Sequence, residues 1–98
     1  MDRRVPKDVS QILRRETNFG CPVDGCGVPY LEYHHFNPRW SEKQHHNPEG
    51  MIALCGVHHP LADGGMFNRD QLEGMKKNPY ISDKRIQFKR WYISLSSP

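Results

Sequence analysis

A small α+β domain that relies on a bound metal is the fold class this sequence predicts, and three observations lead there. The chain has 98 residues, only 36% of them apolar, and a mean hydropathy of -0.83, so its core must be thin and close to the size at which burial alone barely suffices. Three cysteines and three His-His pairs crowd into residues 21 to 59, and in so short a chain a metal is the usual alternative to disulfides. Two short strand-forming runs lie between segments of helical period. Together these predict one domain over 1–98: an N-terminal helix within 1–18, a core of β-hairpin followed by helix over about 19–77 with at least one further helix, and a C-terminal extension or linker over 78–98.

The odd cysteine count would leave one thiol outside any disulfide framework, and neither a secretory signal nor a long apolar run is present. An intracellular, reduced protein with no membrane segment is therefore expected. The formal charge is +3, from 14 Lys+Arg against 11 Asp+Glu. The basic residues gather at both ends, Arg3, Arg4, Lys7, Arg14 and Arg15 in front and Lys76, Lys77, Lys84, Arg85, Lys89 and Arg90 behind, a distribution that suits a polyanion and equally a solvated surface.

Residues 6 to 17 read as a helix with Pro6 in the first turn and Val9, Ile12, Leu13 and Glu16 on one stripe. Cys21 to Pro29, with its glycines and prolines, reads as a knuckle: the four residues between Cys21 and Cys26 allow a tight turn to aim both thiolates at one zinc. Tyr30 to Phe36 suits a strand, which would place Glu32 and His34 on one face and His35 on the other. For both histidines to serve one site the strand must twist or end here, and Asn37-Pro38 supplies a stop. Residues 37 to 50 form an excursion whose length suggests function or mobility, with His45 and His46 expected as exposed loop residues.

Met51 to Leu54 is the natural return strand. A helix over 55–63, ended by Gly64-Gly65, would put Cys55 and His58 on one face and His59 and Asp63 on another. Asn68 as N-cap, Gln71 at the third helical position and the Phe67/Leu72 staple spacing announce a last helix running to about Lys77. Beyond Tyr80, the residues Ile86, Phe88, Trp91, Tyr92 and Ile93 fit either a strand or a short helix, and 94–98 a frayed end.

The ligand types divide into two sets. Cys21, Cys26, Cys55 and His58 form a Cys3His group, C-x4-C then C-x2-H, which closes a tetrahedron around a structural Zn2+ and leaves no open position. His34, His35, His59 and Asp63, with Glu32 behind them, remain, and two histidines with a carboxylate beside a free imidazole suit a hydrolytic metal site.

The pattern Glu-x-His-His, an intervening loop, then Leu-Cys-x-x-His-His at the head of a helix resembles the HNH endonucleases and their ββα-metal motif over residues 19 to about 77. The resemblance implies a metal-dependent DNA endonuclease of low sequence specificity that leaves 5′-phosphate and 3′-hydroxyl ends. By similarity His34, His59 and Asp63 would hold a catalytic cation, Mg2+ or Mn2+ with Ni2+ or Zn2+ as alternatives. His35 would be the general base and Glu32 would orient an imidazole. Separately from the resemblance, Arg39, two residues beyond Asn37 in the loop, fits a DNA phosphate contact and equally a solvated surface arginine. The asparagine that names the family would fall at Gly50, so either Asn47 takes its task or a backbone contact replaces it. The expected setting is the cytoplasm of a bacterial or phage-infected cell, as a stand-alone enzyme, a homodimer, or the effector of a larger defence protein. The alternative is a non-catalytic zinc-stabilised DNA-binding module, which needs only the Cys3His set.

Overall fold

The computed structural model describes residues 2–81. The expectations for Ile86 to Ile93 and for 94–98 concern residues outside that range. In chain order the elements are α1 (Lys7–Glu16), β1 (Leu31–His35), β2 (Met51–Cys55), α2 (His58–Asp63) and α3 (Arg69–Lys77), with a 3-10 turn at Pro48–Gly50. Among the described residues the fold is a two-stranded antiparallel hairpin with helices on both faces, as the α+β expectation requires.

The register pairs Leu31 with Cys55, Tyr33 with Ala53 and His35 with Met51. Alternation then splits the core in two. Ile52 and Leu54 face one side, where they pack with Phe36, Ala62 of α2, Leu72 of α3 and the cysteines. Met51 and Ala53 face the other, against Val9 and Leu13 of α1. All five residues of β2 are buried because both of its faces are covered, which is why its sequence is a continuous apolar run. Burying side chains such as Leu13, Met51, Ile52 and Leu54 contributes roughly 1.5–3 kcal/mol each.

Helix α1 starts one residue later than expected, with Pro6 as its cap, and its buried stripe is narrower: Val9 and Leu13 are inside while Ile12 is 43% exposed. Glu16 does not join that stripe, because Lys76 of α3 donates to its carboxylate and also to the carbonyls of Pro48 (2.8 Å) and Met51 (3.0 Å). One ammonium thereby ties α1 and α3 to the start of β2. Helix α3 begins with a complete capping box: the Asn68 side chain accepts from Gln71 N at 2.7 Å, and the Gln71 side chain accepts from Asn68 N at 2.8 Å.

The helix expected over 55–63 is shorter. Cys55 ends β2, Gly56 and Val57 turn the chain, and α2 starts at His58, because Cys55 is held in the ladder opposite Leu31. The excursion after β1 also has structure of its own. It contains a cis Asn37–Pro38 bond, a bridge between Phe36 and Arg39, and the 3-10 turn. His45 is buried, not exposed, since its Nε2 lies 2.8 Å from the Pro38 carbonyl and its ring packs edge-on to His35.

Gly50 fixes how this excursion rejoins the hairpin. Its carbonyl accepts from Phe36 N (3.0 Å) and Asn37 N (3.1 Å), and a Cβ there would sit 2.0 Å from the Asn37 carbonyl oxygen. No side chain fits. Asn47 instead caps the 3-10 turn through Glu49 N at 3.2 Å. Of the two alternatives for pinning the loop, a backbone contact is the one present.

Candidate functional site

The first cluster joins the knuckle to the β2–α2 corner. The knuckle is closed by Cys26 N donating to Val23 O (2.9 Å) and Gly27 N to Cys21 O (3.1 Å), and Gly27 turns the chain at φ 71°, a conformation that suits glycine. Cys26 and Cys55 sulfurs are 3.8 Å apart, Cys21 Sγ lies 3.5 Å from His58 Nδ1, and Cys55 Sγ lies 3.2 Å from the same nitrogen. Bonds of about 2.3 Å from zinc to sulfur and 2.0 Å to nitrogen require tetrahedral edges of about 3.5–3.8 Å. The four donors therefore sit at nearly the spacing a tetrahedral zinc needs, and they can hold a metal ion.

Burial and hydrogen bonding act differently on two of the cysteines, Cys21 and Cys55. Burial pushes the Cys21 thiol up to about 12. At Cys55 burial acts in the same direction, but hydrogen bonds from the His58 and Val57 backbone and from the His58 ring outweigh it and bring the thiol down to about 6. Three thiols and an imidazole packed this way are a donor set that can hold a metal ion.

The second cluster lies across the hairpin from α1. His34, on the β1 face turned toward α2, and His59 and Asp63, one helical turn apart on α2, have ligand atoms all within 4.8 Å of one another. His34 Nδ1 is 3.1 Å from Asp63 Oδ1, and His59 Nε2 is 3.5 Å from Asp63 Oδ2. Glu32, two residues before His34 on the same strand face, accepts from His59 Nδ1 at 2.8 Å, which fixes that tautomer and turns Nε2 toward Asp63. His34 is buried to 3% exposure, whereas the Asp63 side chain is 48% exposed. This group has an open side. Two neutral imidazoles and one carboxylate suit a divalent cation that keeps solvent or substrate as its remaining ligands.

His35 takes no part in either group. It lies on the α1 face of the strand, opposite Met51, surrounded by Trp40 (4.8 Å between ring centroids), His45 (5.0 Å) and His46 (5.6 Å). Burial, reinforced by the neighbouring His45, holds its pKa down at about 4. A hydrogen bond to the His45 backbone leaves Nε2 buried and without a partner. Because β1 ends at His35, the two adjacent histidines still border one cleft of about 170 Å³, together with Asp63, Arg39, Trp40, Ser41 and Arg3.

Every residue assigned from sequence to the two metal groups is thus found with its set, and Arg39 lines the cleft. Asn47 does not: it caps its own turn. Sequence reasoning missed Trp40, the burial of His45, and Arg3. Proximity to His34-His35 in the chain could have drawn attention to Trp40; Arg3, 31 residues before His34, was marked only as one of the basic residues at the front of the chain.

Two curated relatives, uncharacterized protein MT1160 of Mycobacterium tuberculosis strain CDC 1551 and uncharacterized protein Rv1128c of strain H37Rv, are each 31% identical to this chain over 74 residues. The match takes in 74% of the chain but 17% and 16% of those proteins, so the chain spans about a sixth of their length. No family model matches the sequence. No solved structure matches it. Among the described residues no helix is long and apolar enough to cross a membrane.

Proposed function

We propose that this chain is an HNH-type, metal-dependent DNA endonuclease domain, with a structural zinc in the Cys3His cluster. The observation that carries this reading is the separation of roles along one strand: His34 joins His59 and Asp63, while its neighbour His35, in neither cluster, borders the same cleft. A divalent cation held by His34, His59 and Asp63 would supply electrostatic stabilisation to the phosphate and to the departing 3′ oxygen.

The protein's own groups supply the rest. His35, neutral near pH 7, accepts a proton at Nε2 from the attacking water through the orientation that its bond to the His45 backbone imposes. The new P–O bond forms in line with the breaking P–O3′ bond, and the departing 3′ oxygen takes a proton from solvent water, leaving a 5′-phosphate and a 3′-hydroxyl. Glu32 keeps His59 in the tautomer that offers Nε2. The Arg39 guanidinium, with no ion-pair partner among the described residues, is available to a phosphate oxygen.

A nicking assay on supercoiled DNA with Mg2+, Mn2+, Ni2+ and Zn2+, run beside metal analysis, tests the proposal. Wild-type protein should relax plasmid with at least one ion, and His35→Ala should retain zinc and fold while losing activity about 10²- to 10⁴-fold. Nicking by the His35→Ala protein at the wild-type rate would remove His35 from its role. One observation favours the second reading, a non-catalytic zinc-stabilised DNA-binding module: His35 Nε2 lies beneath the surface, so water reaches it only if Trp40 and His46 part. Protein that binds DNA and zinc but nicks with no ion would establish that reading instead.

A further inference from the structure

Resting on the endonuclease reading, we propose that the N-terminal arm contributes Arg3 as a second phosphate-binding residue, so that a DNA phosphate in the cleft is gripped between Arg3 and Arg39. Both guanidiniums line the cleft that holds His34, His35 and Asp63. They come from separate pieces of chain, Arg39 from the excursion after β1 and Arg3 from a segment that precedes α1.

Three contacts hold the arm in place. The Asp2 carbonyl accepts from His46 Nε2 at 2.7 Å, which attaches the arm to the excursion. The Asp2 side chain accepts from Arg4 N at 2.9 Å and bends the arm between them. At the apex of that bend, the Arg3 guanidinium lies over the Trp40 ring, 5.6 Å from its centroid, and Trp40 in turn packs on His35. A stacked guanidinium loses little freedom when its N–H edge meets an anion. Neither the Arg3 nor the Arg39 guanidinium has an ion-pair partner among the described residues; the Glu42 carboxylate accepts instead from Arg39 N at 3.0 Å and lies 4.0 Å from Arg69. Two unpaired planar forks facing one small cleft match the tetrahedral oxygens of a phosphodiester, which both can approach without competing for the same pair.

The experiment compares Arg3→Ala, Arg3→Lys, Trp40→Leu and, as a control for diffuse charge, Arg4→Ala. Binding to a labelled DNA duplex is followed by fluorescence anisotropy in Ca2+ over a series of salt concentrations, and nicking by wild-type and variants gives kcat and KM. Arg3→Ala should lower kcat/KM about tenfold or more and flatten the slope of log K against log salt by about 0.9, the share of one phosphate contact. Arg3→Lys should restore the slope but only part of kcat/KM, and Trp40→Leu should weaken binding while leaving the slope intact. Wild-type binding, slope and nicking in Arg3→Ala would overturn the assignment, as would an equal loss in Arg4→Ala. If wild-type protein neither binds nor nicks DNA, the endonuclease reading itself fails and takes the clamp with it. An active wild type with an unchanged Arg3→Ala removes the clamp alone.

Discussion

The two ligand clusters share the same corner of the molecule, where β2 runs into α2, and differ in what closes around them. In the Cys3His cluster the donors come from two remote pieces of chain, Cys21 and Cys26 from the knuckle, Cys55 and His58 from the corner, and all are buried or half-buried. In the His34/His59/Asp63 cluster the donors come from the hairpin and helix alone, and the carboxylate is open to solvent. A metal in the first place ties the knuckle to the rest. A metal in the second ties together elements that already touch through β1, β2 and α2, so it adds little to the fold and retains ligand positions for other work. His58 and His59 express this difference in adjacent residues, since one helical step sends one ring to each cluster.

The largest effect should come from breaking the closed cluster. Structural zinc supplies about 10–16 kcal/mol in small metal-dependent domains, comparable with or above the whole stability of a domain this size. Cys26→Ser or Cys55→Ser, or treatment with a strong chelator, should release zinc and abolish the cooperative thermal transition seen by circular dichroism. A folded, zinc-free variant would show that the thin core suffices by itself.

Breaking the open cluster should spare the fold. His59→Ala should keep a melting transition within a few degrees of wild type while nicking is lost, and a collapse of that transition would mean that the open cluster is structural too. Glu32→Ala acts on it at one remove: removing the acceptor for His59 Nδ1 should weaken the response to the added ion about 10–100-fold, read as the shift of the metal titration midpoint.

Lys76 sharpens the comparison from outside both clusters. Lys76→Met leaves the Glu16 carboxylate and two carbonyls without their shared donor, and should cost about 1–3 kcal/mol in urea unfolding with zinc content unchanged. The smallest effect is expected at Ile12. Despite its apolar character it lies on the exposed side of α1, so Ile12→Ala should shift stability by about 0.5 kcal/mol at most.

Local chemistry determined a good deal of this protein. The capping box at Asn68, the two strands, the knuckle and the membership of both ligand sets follow from spacing, because each depends on residues a few positions apart or on two such pairs meeting. The end of the hairpin was harder. A helical reading of 55–63 placed Cys55 and His58 together for the wrong reason: the ladder opposite Leu31 holds Cys55 in a strand, and the turn at Gly56-Val57 brings the two donors into contact. Ladder pairing is a long-range interaction, and no property of Cys55 itself announces it.

The sequence by itself determined which residues carry ligand chemistry and how they divide into four and three. Only the tertiary structure decided what surrounds them: that His45 is buried against His35, that Gly50 joins the excursion to the hairpin through its backbone, and that Arg3 reaches the cleft from the arm before α1. The physical reason is the range over which each is set. Ligand spacing is written into a turn of helix or knuckle, whereas burial, close backbone approach and the placing of a distant guanidinium exist only once the helices have closed over both faces of the hairpin.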